Sequence, residues 1–178
     1  MASDGERIAQ LEERLLKLEH LEEIKKLKAR YVRGCDFKKP DEVLDCFLPD
    51  ATIDFPMAKW TTAAEFVDYY RKWGTPLSKI DIHHAMNGTI EITGPTTATG
   101  VWALYYFGMN METGKAGQSG VTYWDEYVLK DGRWWIKSCT SRTHSSIAWD
   151  LEVGKPMLVT RVDGMAREVV HDASKAPL

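Results

Sequence analysis

The sequence lacks the short motifs of the most familiar enzyme classes. It has no glycine-rich phosphate loop and no GxSxG, HExxH or CxxC segment, which argues against common nucleotide-binding, hydrolase and metalloprotease activities. Its three cysteines, Cys35, Cys46 and Cys139, share no spacing typical of a zinc site or a disulfide framework. We therefore expect no metal or other cofactor, and interpret the cysteines as small core residues.

Long apolar runs and a strong excess of one charge are also absent. No stretch approaches the ~18 uninterrupted apolar residues of a membrane span, and the N-terminus shows no basic-then-apolar signal pattern. With 23 Lys+Arg against 26 Asp+Glu, the net charge of −3 gives no case for nucleic acid or an anionic membrane as partner. We expect a cytoplasmic protein that binds neither.

The composition is that of a single globular domain. The chain has 178 residues, of which 44% are hydrophobic and 11% aromatic. A chain of this size buries roughly 70% of the surface that its unfolded form exposes, so it can hold a full core. A pocket inside that core is therefore feasible.

The N-terminal third is predicted to be helical. Residues 6–34 carry one apolar stripe whose phase slips near residue 20, which predicts two helical pieces, the second ending near Gly34. The first piece covers only about two heptads, so we expect an arm that packs on its own domain or on a neighbouring subunit. Two further helices are predicted, one from Asp41 until Pro49-Asp50 stops it, and one capped by Thr62.

The second half of the sequence is typical of β-strands. After a short strand at 51–55 and a linker holding Trp60, turn signals separate four longer strands at about 83–93, 98–109, 120–130 and 134–147. Hairpin connections predict a mainly antiparallel sheet. Helices followed by such a curved sheet make an α+β cone. We expect an arm at 1–20, the cone domain at 21–147 and a C-terminal tail at 148–178.

The candidates for chemistry are histidines and carboxylates. His83 and His84 stand at the start of a strand, where alternation allows only one of them to enter an interior cavity. Asp36 lies about 140° around the helix from the inward-facing Tyr31, unless the helix unwinds at Gly34. From spacing alone, a structural role for the histidine and a turn or cap role for the aspartate remain the more common alternatives.

Between about Leu11 and Arg142 the sequence resembles a known family. The similarity lies in the segments 28–36, 82–92, 97–102 and 123–136. They resemble the SnoaL-like branch of the nuclear-transport-factor-2-like superfamily, and within it the bile-acid 7α-dehydratases of gut bacteria. Hexachlorocyclohexane dehydrochlorinase and scytalone dehydratase, two other eliminating enzymes, are similar in the Tyr-x-x-x-x-Asp and Ile-His segments.

The resemblance implies specific roles for individual residues. It matches Tyr31, Asp36 and His83 to the catalytic residues of the dehydratase, and Arg142 to its strand arginine. Where an acid is expected on the second long strand, this chain has Tyr106. The resemblance also favours a homo-oligomer, with a trimer as the expected state.

The implied chemistry is elimination of water without a cofactor. A neutral imidazole removes an acidified proton, and a carboxylate behind it fixes its tautomer. A set of aromatic side chains would suit a flat alicyclic substrate of steroid or bile-acid type: Trp60, Trp102, Tyr105, Tyr106, Tyr123 and Trp124. The alternatives are a steroid or polyketide isomerase or cyclase on the same fold, and a fold member that binds a ligand without chemistry.

Overall fold

The α+β cone predicted from the sequence is confirmed. The computed structural model describes residues 3–110, 112–150, 157–160 and 166–169. Its helices are α1 (Asp4–Asp36), α2 (Pro40–Leu44) and α3 (Ala63–Trp73). Its strands are β1 (Phe47–Phe55), β2 (Ala58–Trp60), β3 (Lys79–Gly94), β4 (Thr97–Asn110), β5 (Lys115–Lys130), β6 (Arg133–Asp150), β7 (Met157–Thr160) and β8 (Ala166–Val169).

The sheet is curled and mainly antiparallel. Its strand order is β2-β1-β6-β5-β4-β3, and β7 pairs with both β6 and β8. The pairing of β1 with β6 is parallel, and the other neighbouring strands are antiparallel. This order leaves β3 at an edge of the sheet, where α1 packs beside it.

The N-terminal helix is continuous, so the expected break near residue 20 is wrong. α1 begins with a capping box, in which the Ser3 hydroxyl accepts from the Glu6 N–H and the Glu6 carboxylate accepts from the Ser3 N–H. It runs through Gly34 without unwinding and ends at Asp36, with Phe37 as its C-cap. Every side chain from residue 3 to residue 19 is exposed, whereas His20 already packs on Trp134. The phase slip of the apolar stripe near residue 20 therefore marks the point where α1 passes from solvent to contact with the sheet, and not a break in the helix.

The segment around Pro49 is a strand, contrary to the expected helix stop. α2 ends at Leu44, and Pro49 lies inside β1. The parallel pairing of β1 with β6 is irregular between Phe47 and Thr52, and Pro49 lies in this part. Proline has no N–H, but here its presence removes no hydrogen bond from the ladder. Trp60 belongs to the short strand β2.

The long strands extend beyond their expected ends. β5 starts at Lys115, five residues before the expected start at about 120, so Gly117 lies within the strand. Asp131 and Gly132 both have positive φ, 53° and 77°, as a two-residue type I′ hairpin turn requires. β6 reaches Asp150 and β7 and β8 follow it, so part of the expected tail is sheet, and the remaining tail lies outside the described residues.

A buried ion pair joins α1 to the sheet. Lys28 Nζ lies 2.7 Å from Asp125 Oδ2, and the two side chains are 1% and 0% exposed. The Tyr127 hydroxyl donates to the same oxygen at 2.7 Å and accepts a bond from Trp102 Nε1 at 2.9 Å. The ammonium also lies 3.9 Å from the centre of the Tyr123 ring. Three elements, α1, β4 and β5, are thus connected through one charged network.

The convex side of the sheet and the N-terminal arm expose apolar side chains. Large apolar residues are exposed on the outer face of β3, β4 and β5: Ile82, Met86, Val101, Tyr105 and Trp124. β4 therefore has two apolar faces, one packed on the core and one exposed. Among the described residues, no helix is long and apolar enough to cross a membrane.

The buried pair predicts a non-additive pattern of stability. Lys28→Met leaves the Asp125 carboxylate buried without its counter-charge, which costs about 3–5 kcal/mol. Lys28→Met with Asp125→Asn removes both charges and retains an acceptor for Tyr127, so it is expected to be more stable than Lys28→Met alone. Urea denaturation followed by tryptophan fluorescence measures both at one protein concentration.

Lys26→Met is the matched surface control. Lys26 pairs with Glu23 on the same helix, with side chains 63% and 57% exposed, so its loss should change the stability by less than about 0.5 kcal/mol. A double variant less stable than Lys28→Met would contradict the assigned role of the pair.

Candidate active site

The helices and the concave face of the sheet enclose one large cavity. Its volume is about 770 Å³, within the range of small-molecule sites. Alternation places inward-facing residues of neighbouring strands on its wall, including Asp81 and His83 of β3, Tyr106 of β4 and Tyr123 of β5. Aromatic and aliphatic side chains from the helices and β1–β2 complete it: Tyr31, Phe55, Met57, Trp60, Phe66, Tyr69, Tyr70 and Trp73.

His83 and Asp36 form a closely bonded pair at the edge of the sheet. The distance between His83 Nδ1 and Asp36 Oδ1 is 2.6 Å. The backbone N–H of His83 also donates to Asp36 Oδ1 at 3.0 Å, which satisfies a donor that the edge strand leaves unpaired. Asp36 is the last residue of α1 and is not among the residues that line the cavity. It therefore lies behind the histidine, without the unwinding at Gly34.

This geometry selects one tautomer of the neutral imidazole. A carboxylate only accepts hydrogen bonds, so Nδ1 carries the proton that it donates to Asp36. The other ring nitrogen, Nε2, then holds the free lone pair and can act as a base. His84 lies on the exposed outer face beside Tyr105, as strand alternation predicts.

A second polar cluster lies beside the dyad and was not anticipated from the sequence. The Tyr106 hydroxyl donates to Asp81 Oδ1 at 2.5 Å, and the Lys38 ammonium pairs with the other carboxylate oxygen. The ring centres of His83 and Tyr106 are 4.9 Å apart. The alternation that places His83 inside also places Asp81, two residues earlier, on the same face, and this was the available signal.

Lys38 occupies an unusual backbone conformation. Its φ is 58°, in the left-handed region that lysine rarely adopts. The residue follows the C-cap of α1, and its side chain is only 14% exposed. Such strain persists only when the surroundings determine it, and here the ion pair with Asp81 lies next to the cavity.

The hydroxyls of Tyr31, Tyr106 and Tyr123 in the cavity remain protonated. Burial raises the pKa of Tyr31 and of Tyr123 well above the usual value. Burial, followed by the hydrogen bond to Asp81, raises the pKa of Tyr106. Burial also raises the pKa of the Cys35 thiol, which lines the cavity but is not a thiolate nucleophile.

The residues expected to bind substrate are only partly brought together. Trp60, Tyr106 and Tyr123 line the cavity. Trp102 does not, because its indole N–H is bonded to the buried Tyr127 and its ring fills the space above Gly88.

Arg142 is also directed elsewhere. It alternates with Ser141 and Thr143, which line the cavity, and its guanidinium bonds Asp54 at 3.1 Å. Tyr105 and Trp124 lie on the outer face. The expected cavity roles of Arg142, Trp102, Tyr105 and Trp124 are therefore corrected.

The described part of the chain offers no cluster of ligands for a metal. Over residues 3–110 and 112–150, together with the two short final strands, no group of three or more His, Cys, Asp or Glu side chains could hold an ion. The arrangement that remains is a base, a carboxylate that orients it and protonated tyrosines around an apolar cavity.

A cone with a cavity of this size is typical of proteins that bind small molecules. Comparison with known proteins identifies the family. The chain belongs to the SnoaL-like domain family, whose model matches residues 16–140. The resemblance to the SnoaL-like branch drawn from the sequence is thereby confirmed.

Solved structures with low sequence identity share the fold. A type 2 hexachlorocyclohexane dehydrochlorinase (LinA) has a TM-score of 0.71 at 17% identity, over 76% of this chain and 92% of that one. A provisionally assigned scytalone dehydratase from Novosphingobium aromaticivorans has a TM-score of 0.68 at 22% identity, over 77% and 91%. An NTF2-like protein with a cystatin-like fold from the same species scores 0.62 at 19% identity, over 75% and 87%.

Proposed function

We propose that this protein is a cofactor-independent dehydratase that eliminates water from a hydroxylated alicyclic substrate. The observation that carries the proposal is the His83–Asp36 pair, which presents a free imidazole nitrogen to an apolar cavity of about 770 Å³. The likeness to a dehydrochlorinase and a provisionally assigned dehydratase supports an elimination reaction.

The first step is removal of a proton from carbon. His83 Nε2 takes a proton that a neighbouring or vinylogous carbonyl of the substrate makes acidic. Asp36 keeps Nδ1 protonated and stabilises the imidazolium that forms, without itself taking the proton. The electron pair of the C–H bond forms the new double bond, directly or through the enolate.

The second step is departure of the hydroxyl group. The C–O bond breaks, and the imidazolium of His83 returns its proton to the leaving oxygen, which departs as water. The enzyme is thereby restored with neutral His83. The protonated hydroxyl of Tyr31 lines the same cavity and can donate a hydrogen bond to a substrate oxygen. The Tyr106 hydroxyl donates its proton to Asp81, so its oxygen is available to accept a hydrogen bond from the substrate hydroxyl.

Asp81 and Lys38 have a positioning role in this proposal. The Asp81 carboxylate fixes the Tyr106 hydroxyl, and Lys38 balances the Asp81 charge. Asp81 and Tyr106 thus occupy together the region where the family resemblance implies an acid on the second long strand.

The cavity walls support a flat and largely apolar substrate. Aromatic rings of Phe55, Trp60 and Phe66 stack edge to face with centroid distances of 5.3–6.0 Å, which makes a rigid apolar wall. We propose a 3-oxo-4-ene steroid or bile acid with a 7α-hydroxyl, since its vinylogous carbonyl acidifies the proton that is removed.

We also propose a homo-oligomer, with a trimer favoured by the family resemblance, that covers the apolar outer face of the sheet.

The direct test is a mass balance on candidate substrates. Purified protein is incubated with hydroxylated 3-oxo-4-ene steroids and bile acids, and mass spectrometry is expected to show the loss of one water. A product of unchanged mass would instead identify an isomerase or cyclase, and the absence of any product from the panel would contradict the substrate class.

Activity should be the same with and without EDTA, because no residue is assigned to a metal.

The dyad predicts a large and shared loss of activity. His83→Ala and Asp36→Asn should each lower kcat by about 10²-fold or more, the scale of positioned acid-base catalysis. The double variant should be little worse than the poorer single variant, because the residues act as a unit. Steady-state kinetics with the substrate of the mass balance measures all three.

Two measurements separate this role from a structural one. His84→Ala, on the opposite face of the same strand, should retain activity, and its inactivity beside an active His83→Ala would overturn the assignment. In ¹⁵N spectra of labelled histidine, neutral His83 should carry its proton on Nδ1. Asp36→Asn should move that proton to Nε2, because an amide N–H can donate to Nδ1.

The second cluster predicts a graded effect. Tyr106→Phe should lower kcat by about 10-fold, because it removes the oxygen that accepts a hydrogen bond from the substrate hydroxyl. Asp81→Asn should have a smaller effect, because an amide oxygen still accepts the Tyr106 bond. Tyr105→Phe is the matched control, since the Tyr105 hydroxyl bonds Gln118 on the outer face. Equal losses in Tyr105→Phe and Tyr106→Phe would contradict the assigned role.

A further inference from the structure

The N-terminal half of α1 does not pack against any other part of the chain that the structure describes. All side chains from Ser3 to Glu19 are exposed, over a length of about 25 Å at the usual helical rise. Four aliphatic residues of this arm, Ile8, Leu11, Leu15 and Leu18, are 56–62% exposed. An isolated helix of this length is marginal in water, and its apolar stripe normally has a packing partner.

The stripe follows a heptad pattern. The spacings of 3, 4 and 3 place Ile8 and Leu15 at a positions and Leu11 and Leu18 at d positions. The seam is therefore continuous over two heptads. The capping box at Ser3 starts the helix immediately before this seam.

The charges beside the seam are complementary only when a second copy lies parallel. In this register Arg7 and Arg14 occupy g positions, while Glu12 and Glu19 occupy e positions. A parallel pair places each g residue opposite the e residue five positions later in the other chain, which gives Arg7 with Glu12 and Arg14 with Glu19. An antiparallel pair would oppose Arg to Arg and Glu to Glu.

The arm is also unsuited to an anionic membrane. Between Ser3 and Glu19 it carries five acidic side chains, Asp4, Glu6, Glu12, Glu13 and Glu19, against three basic ones. Arg7 already lies 3.7 Å from Asp4, but both side chains are largely exposed, and such a pair holds Arg7 only weakly.

We propose that the arms of two or more copies of this chain pack in parallel and in register as a short coiled coil. The apolar seam of Ile8, Leu11, Leu15 and Leu18 is buried between them, with Arg7–Glu12 and Arg14–Glu19 pairs across the interface. Two heptads are short for an autonomous coiled coil, so the arms act together with contacts between the folded domains. The proposal concerns assembly and is independent of the dehydratase chemistry.

A site-specific disulfide tests both the contact and its direction. In a parallel in-register pair the two copies of residue 11 face each other, so Leu11→Cys should cross-link to a covalent dimer under mild oxidation. Glu13→Cys, at an f position on the outer side, should remain uncross-linked. The native cysteines are buried and free, so they provide a low background.

The outcomes are distinct on a non-reducing gel. Cross-linking of Leu11→Cys but not Glu13→Cys supports the proposal. Equal cross-linking of the two variants, or none of Leu11→Cys, overturns it. Cross-linking only when Leu11→Cys is mixed with Leu15→Cys would indicate an antiparallel pair and would also overturn it.

Charge reversal tests the pairing rule in the full-length protein. Glu12→Arg with Glu19→Arg opposes like charges across the parallel seam and should reduce Leu11→Cys cross-linking several-fold at low salt. Adding Arg7→Glu and Arg14→Glu to the same chain restores opposite charges and should restore cross-linking. Failure of this restoration, with helical content unchanged by circular dichroism, would overturn the proposed register.

Discussion

The arrangement of the site depends on the buried contact between Lys28 and Asp125. A lysine and an aspartate that are nearly fully buried must remain paired, because separation leaves an unsolvated charge on each side. The pair therefore fixes both the rotation and the axial position of α1 against β5. Tyr31 follows Lys28 by less than one turn and reaches the cavity, and Asp36 follows after about two turns, roughly 12 Å along the axis. Displacement of α1 would move both of them relative to the sheet.

Asp36 also provides a hydrogen-bond acceptor for a backbone N–H at the edge of the sheet. β3 is an edge strand, and an uncovered edge has free N–H groups that cost energy when buried and invite wrong pairing when exposed. Asp36 accepts both the His83 N–H and the His83 Nδ1 proton, so one carboxylate covers the edge and orients the ring. Backbone and ring are fixed by the same oxygen, which limits rotation of the imidazole in the cavity wall.

Turn residues predicted the hairpins of β3 to β6, and alternation predicted that His83 and His84 lie on opposite faces, because both are local rules. The choice of His83 as the inward residue came from the family resemblance. The pairing of β1 with β6 could not be predicted in this way, because residues distant in sequence determine it. Arg142 shows another limit, because a match of residue type to a family member does not determine on which face of the strand the side chain lies. The pairing of β6 places Arg142 on the side where it bonds Asp54. Asp81 was accessible from alternation, but its contact with Lys38 depends on the positive φ after α1, which no residue preference indicates.

Successive residues of β3 and β4 lie on opposite faces of the sheet, so one strand pair forms both the cavity wall and the outer surface. His83 and Tyr106 lie directly opposite each other on the inner face, and their neighbours His84 and Tyr105 lie opposite each other on the outer face. A slip of one residue in this pair would exchange the two sets and place the apolar outer side chains in the cavity. Register is therefore under two constraints, because the inner face makes the Asp36 and Asp81 contacts and the outer face carries exposed apolar side chains. Substitutions on one face leave the other intact as long as the ladder holds, so the cavity wall and the outer surface can vary separately on one strand pair.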